Sequence, residues 1–179
     1  MTKKFQKISE EVVHKNPWWT YKHDVYQCNG KQQDYYYGEF VSGVIVIPVL
    51  DDGRIVLIRQ YRYLRNRYGI EFVMGGIQNG ETPAQTAVRE LKEEAGLQSS
   101  NFSKIAEFDP YIGSAKDVSH VFLANEISGS GEINLEETED LEVIYRRPDE
   151  IDIMIRNGEI WHGQTLAAWT LVRDLILKK

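Results

Sequence analysis

Hydrophobic positions along the chain fall into short β-branched runs separated by turn residues, with three stretches of helical period among them. Residues 19–27 and 31–40 flank Asn29-Gly30, a dipeptide suited to a tight turn with positive φ, and predict an N-terminal hairpin. A second hairpin is predicted from residues 41–50 and 54–61, rich in Val and Ile and separated by Asp51-Asp52-Gly53. Further strands are expected at residues 69–73, before a break at Gly75-Gly76, and at 104–108, 118–126 and 142–147. Helices are predicted at 82–95, 149–157 and 164–178. The first has Thr82 as N-cap, Pro83 at the first helical position, Gln85 as capping-box partner and Gly96 as its stop. The second follows Pro148 and ends at Gly158. The third carries Leu166, Trp169, Val172 and Ile176 on one face, with lysines at its C-terminus that suit the helix dipole. Strands interspersed with a few helices predict an α/β fold, an α/β/α layered domain around a mixed sheet. Ser128-Gly129-Ser130-Gly131 is the most linker-like run, too short to separate two domains.

Composition narrows the picture. The chain has 179 residues, 42% apolar and 27% charged, the balance of a soluble domain with a sizeable core. Lys plus Arg number 21 against 27 Asp plus Glu, a net charge of −6, which argues against a protein that coats DNA or RNA. Cys28 is the only cysteine, so no intrachain disulfide or Cys-based zinc site forms, and a reducing cytoplasm is the expected compartment. No membrane association is expected: residues 1–15 lack the apolar core of a secretory signal, and the aliphatic run 44–50 is too short to span a bilayer. His14, His23, His120 and His162 are scattered, with no metal-ligand spacing.

The candidate chemistry is concentrated at residues 75–97. On the predicted helix, Ala84, Ala87, Val88, Leu91 and Ala95 share one arc, which is expected to be the buried stripe. Glu90, Glu93 and Glu94 fall together on an adjacent arc, at i, i+3 and i+4. Three like charges at that spacing weaken a helix by a few tenths of a kcal/mol per pair. They mark either a solvated acidic face or a site for a hard divalent cation such as Mg2+ or Mn2+.

The wider pattern favours the cation. Gly75, five residues, Glu81, seven residues, then Arg89-Glu90-Leu91-Lys92-Glu93-Glu94-Ala95-Gly96-Leu97 resembles the signature of the Nudix hydrolases at all nine constrained positions. The resemblance implies a Nudix-type α/β/α sandwich with an N-terminal β-hairpin extension, and hydrolysis of a nucleoside diphosphate linked to another moiety. It implies Glu90 and Glu94 as the principal metal ligands, Glu93 as a further ligand or water-mediated contact, and the Met74 carbonyl as a backbone ligand. It also implies an ion pair between Glu81 and Arg89 that orients the helix.

Five arginines, Arg54, Arg59, Arg62, Arg65 and Arg67, lie within fourteen residues of this otherwise acidic chain. Guanidinium forks match phosphate oxygens, and Arg59-Gln60-Tyr61-Arg62 resembles a segment of the ADP-ribose and nucleotide-sugar branch of the family. Arg62, and next Arg59, are the candidate diphosphate contacts. The same branch is suggested by Asn16-Pro17-Trp18-Trp19, by the Asn29-Gly30 hairpin and by Glu71. Trp18 or Trp19 is a candidate for stacking on the base, or packs in the core or an interface. In this branch the N-terminal segment often contributes to a homodimer, so residues 1–40 are read as a dimer-forming extension and 41–179 as the hydrolase domain.

In the acidic stretch 132–142, Glu139 resembles the general base or a metal ligand, with Glu137 the alternative. Val73-Met74, Tyr111-Ile112-Gly113 and Asp117 depart from residues common in the branch. The expected substrate is therefore a nucleoside diphosphate sugar in general, with ADP-ribose a leading member. Dinucleoside polyphosphates, NADH, capped RNA, or a ligand sensor without hydrolysis are the alternatives.

Overall fold

The computed structural model describes residues 5–129, 133 and 140–178. The strands are β1 (Phe5–Lys15), β2 (Trp19–Cys28), β3 (Lys31–Phe40), β4 (Gly43–Pro48), β5 (Ile55–Arg62), β6 (Arg67–Glu71), β7 (Val73–Gly76), β8 (Gln98–Phe108), β9 (Ala115–Lys116), β10 (Ser119–Ser128) and β11 (Leu141–Arg146). The helices are α1 (Pro83–Ala95), α2 (Pro148–Arg156) and α3 (Gly163–Leu177). They fall into two units: Met1–Ser42 with Asp109–Val118, and Gly43–Phe108 with Ser119–Lys179.

The first unit is one sheet in the order β1-β2-β3-β9. The expected hairpin is there: β2 and β3 pair antiparallel around Asn29 (φ 52) and Gly30 (φ 76), the positive pair that such a turn needs. The sequence pattern did not predict β1. It is exposed along its whole length, and register shifts between Lys7 and Ser9 and between Val12 and His14 break the alternation that would betray a strand. Residues 109–118 join this unit through β9, which runs parallel to β3.

In the second unit, β7-β4-β10-β8 form a mixed sheet with β4 parallel to β10, and β11-β5-β6 form an antiparallel one. Alternate residues of the central strands serve two cores. Val44, Val46, Val56, Ile58, Phe122 and Ala124 pack with Ala87, Leu91 and Ala95 of α1. Ile45, Ile47, Ile55, Leu57, Val121 and Leu123 pack with Ile151 and Met154 of α2 and Ala168, Trp169 and Val172 of α3. Strands apolar on both faces with helices over each make the α/β/α sandwich that the pattern predicts.

Two expectations need correction. Residues 41–50 and 54–61 do not form a hairpin: β4 and β5 lie in different sheets, joined by a single bridge between Val49 and Ile55. Both edges of β4 are taken, by β7 and by β10. Nor do Gly75 and Gly76 interrupt a strand. They belong to β7, opposite Val44 and Gly43, while the strand expected at 69–73 divides at buried Phe72. Among the described residues no helix is long and apolar enough to cross a membrane.

Candidate active site

The site is built around α1. Its N-terminus has the predicted capping box: Thr82 Oγ1 accepts from the Gln85 N–H at 3.3 Å, and Gln85 Oε1 accepts from the Thr82 N–H at 2.8 Å. Gly96 closes the helix at φ 64. Fully buried Leu91 contributes roughly 2 kcal/mol, well above the repulsion among the three glutamates, so the helix docks despite its charges.

Ala87, Leu91 and Ala95 of the predicted stripe are buried, but the buried face is turned toward the glutamates. Ala84 and Val88 are exposed, whereas Glu90 and Glu94 are each only 8% exposed and share the buried face with Ala87, Leu91 and Ala95. Each carboxylate has a partner that lets it be buried. Glu94 Oε2 accepts from the Met74 N–H of β7 at 3.0 Å. Arg89 Nη1 donates to Glu90 Oε1 at 2.7 Å and to Glu93 Oε2 at 2.8 Å.

Arg89 uses every N–H it has. Nε donates to Glu81 Oε1 at 2.9 Å, and Nη2 to Glu81 Oε2 at 3.1 Å and to the Gly76 carbonyl at 3.0 Å. Glu81 also accepts from Thr86 Oγ1 and from the Gln78 N–H. The Arg89 guanidinium, with help from Thr86, holds the Glu81 carboxyl down at about 2, and Glu81 in turn pushes Arg89 further up. The structure thus brings the paired Glu81 and Arg89 together with Glu90, Glu93, Glu94 and Met74.

The residues suit a divalent cation. The donors are all hard oxygens, as Mg2+ or Mn2+ prefers. A Cβ on Gly75 would stand 1.7 Å from Glu90 Oε1 and 1.8 Å from its Cδ, so the strand there is shaped to let a carboxylate lie on it. Among the described residues these side chains do not make a ready-formed cluster of three metal-binding groups.

Arg62 at the end of β5 donates Nε to Glu71 Oε1 at 2.7 Å and Nη2 to Glu71 Oε2. Glu71 is 1% exposed. Beside it stand Trp161 and His162, which the sequence pattern did not single out. No spacing rule links them to residues so distant in the chain. Arg59 lies elsewhere on β5, its guanidinium 3.9 Å from the Tyr68 ring centre and 3.3 Å from Glu142 Oε2. In the first unit, Trp19 stacks on Phe40 with ring centres 5.9 Å apart, and Trp18 is 75% exposed. Asp117, also there, has its carboxyl pushed up by burial and by Asp109. Glu137 and Glu139 lie outside the described residues.

Residues 39–169 match the NUDIX domain family. This chain belongs to the Nudix family. It is 33% identical over 149 residues to the ADP-ribose pyrophosphatase of Bacillus subtilis (strain 168), covering 83% of this chain and 80% of that one. It is 29% identical over 128 residues to the methanol dehydrogenase activator of Bacillus methanolicus, covering 71% and 69%. A crystal structure of an ADP compounds hydrolase superposes with a TM-score of 0.85 over 98% of this chain and 96% of that one; at 21% identity it shows the fold. As a Nudix hydrolase the chain is an enzyme that depends on a divalent metal and acts on a small-molecule nucleotide.

Proposed function

We propose that this Nudix hydrolase splits the diphosphate of a nucleoside diphosphate sugar, ADP-ribose foremost, into a nucleoside monophosphate and a sugar phosphate with Mg2+ or Mn2+ as cofactor. The observation that carries the reading is the pair of nearly buried carboxylates, Glu90 and Glu94, laid on a glycine strand and tied to protein donors. The ADP-ribose pyrophosphatase of Bacillus subtilis, similar over most of both chains, supports the substrate class.

Glu90, Glu94 and the Met74 carbonyl would hold the metal, with Glu93 as a further ligand. When bound, the divalent ions neutralise charge on the phosphate oxygens and lower the pKa of the attacking water. Arg89 keeps Glu90 and Glu93 in register, and Glu81 and Glu71 fix Arg89 and Arg62 in turn. Arg62 contributes a guanidinium to the diphosphate, with Arg59 the second candidate. Water attacks one phosphorus, the bond from that phosphorus to the bridging oxygen breaks, and a carboxylate, Glu139 or Glu137, takes the water's proton. Trp18 or Trp19 stacks on the base. We further propose a cytoplasmic homodimer formed through the N-terminal unit, where Phe5, Ile8, Val12 and Val13 of β1 are exposed.

A product survey tests the reading: ADP-ribose, ADP-glucose, NADH, a dinucleoside polyphosphate and capped RNA with Mg2+, followed by chromatography of the products. AMP and ribose 5-phosphate from ADP-ribose, at the highest kcat/KM of the panel, are expected. Preference for NADH, polyphosphate or cap overturns the substrate class. Tight ADP-ribose binding without AMP release would make the protein a sensor instead.

A further inference from the structure

The β5–β6 pair places two arginines directly opposite each other, Arg62 against Arg67. Like charges at such a position repel, and two different partners relieve them. Arg62 gives Nε and Nη2 to buried Glu71. Arg67 lays its guanidinium 4.3 Å from the centre of the Trp161 ring. Between the two, a Cβ on Gly69 would stand 2.8 Å from Glu71 Oε1 and 3.2 Å from Trp161 Cζ2, so carboxylate and indole crowd onto the same bare stretch of strand. The residue after Trp161 completes the arrangement. His162 Nδ1 is 3.5 Å from Glu71 Oε2 and 3.1 Å from Thr165 Oγ1 in the first turn of α3.

We propose that Trp161 and His162, the segment leading into α3, are positioning residues for Arg62: Trp161 draws aside Arg67 and, at 5.8 Å, Arg65, while His162 braces the Glu71 carboxylate that holds the Arg62 guanidinium in one orientation for the diphosphate. This rests on the reading that Arg62 contacts the diphosphate. The proposal requires the Nδ1–H tautomer, since a bare Nδ1 would accept from the Thr165 hydroxyl and turn its lone pair toward the Glu71 carboxylate. Burial, and then the nearby Arg62 charge, push the His162 pKa down against the pull of Glu71. A neutral ring braces Glu71 without competing for it, whereas an imidazolium would draw Oε2 away from Arg62. The ionisable groups facing His162 are Glu71 of β6 and Arg62 of β5, with the neutral Thr165 hydroxyl from α3.

The test is a double-mutant cycle on the full-length protein, with ADP-ribose at saturating Mg2+. R62A should raise KM by roughly 10-fold or more, as loss of a charged hydrogen-bond donor does. H162A should raise KM by about 5-fold with kcat within about twofold, and H162N, which keeps an N–H near the Nδ1 position, should restore it. In the R62A background, H162A should add nothing. An H162A effect of equal size in both backgrounds overturns the inference while leaving Arg62 as a diphosphate contact. No KM effect of R62A overturns both. Should H162A lose its cooperative unfolding transition, W161L takes its place in the same cycle, with W161F as the conservative variant.

Discussion

Gly75→Ala separates the chemistry of the site from the stability of the fold. The added Cβ would stand 1.7 Å from Glu90 Oε1, where ordinary contact begins at 3.4 Å, so the carboxylate must retreat by 3.4 − 1.7 = 1.7 Å or the strand must give. The colliding atoms are the far end of a flexible side chain. Rotating Glu90 outward is therefore the cheaper response, and destabilisation falls near the low end of the overpacking range, about 1 kcal/mol. For a chain of this length that lowers Tm by roughly 2–4 °C. Activity has no such escape. A rotated Glu90 loses the 2.7 Å bond from Arg89, and a displacement above 1 Å at a reacting centre costs on the order of 100-fold in rate. Calorimetry and AMP release from ADP-ribose at saturating Mg2+ measure the two effects side by side. Gly163→Ala, where a Cβ meets nothing within 4 Å, is the control for a glycine replaced without collision. A Gly75→Ala enzyme with kcat within about threefold of wild type would refute the cradle and the role of Glu90 with it.

Two other outcomes follow from the same geometry. Glu94→Gln keeps an acceptor for the Met74 N–H but removes the charge, so kcat should fall by ~100-fold or more with the thermal transition intact; a change under tenfold at saturating Mg2+ would remove Glu94 from the metal set. Glu81, held at about 2 against an ordinary 4.5, contributes stability that is fully present above pH 4.5 and is lost as pH falls through 2. The gap in unfolding free energy between wild type and Glu81→Gln should therefore be flat above pH 4.5 and close steadily below it, and a gap that widens in acid would contradict the pairing with Arg89.

What could be read along the chain was local or carried by fixed spacing. The capping box at Thr82 and Gln85, the stop at Gly96, the hairpin turn at Asn29-Gly30 and the glutamate spacing all depend on neighbours a few residues away, and all are where the pattern puts them. What failed depends on partners from other segments. Val88 is the more apolar residue and Glu90 the charged one, yet Val88 is exposed and Glu90 buried, because Gly75 offers a bare strand and Arg89 a counter-charge. The β4 and β5 runs look like a hairpin because their compositions match; only the competing offers of β7 and β10 show that β4 belongs elsewhere. Arg62 and Glu71 each draw notice singly, but that one is the other's counterion, and that Trp161 and His162 stand over both, depends on how the edge strand meets the start of α3.

The signature residues can then be understood as one electrostatic unit rather than a set of ligands with decorations. Glutamates at i, i+3 and i+4 would rather be apart, and two of them would rather be wet. Arg89 resolves the repulsion and the burial of Glu90, because its planar fork reaches five acceptor oxygens of four residues on three pieces of chain: Glu81 in the loop before the helix, the Gly76 carbonyl of β7, and Glu90 and Glu93 of α1. That geometry fixes the rotation of α1 about its own axis. With the rotation fixed, Glu94 meets the Met74 N–H and Glu90 meets Gly75, so the two buried carboxylates face the same strand. A lysine could supply the charge but not the fork, since its ammonium cannot satisfy acceptors in a plane at once. The spacing of the motif is thus the spacing needed for one guanidinium to set the angle of one helix against one glycine strand, and the acidity of the site follows from that angle.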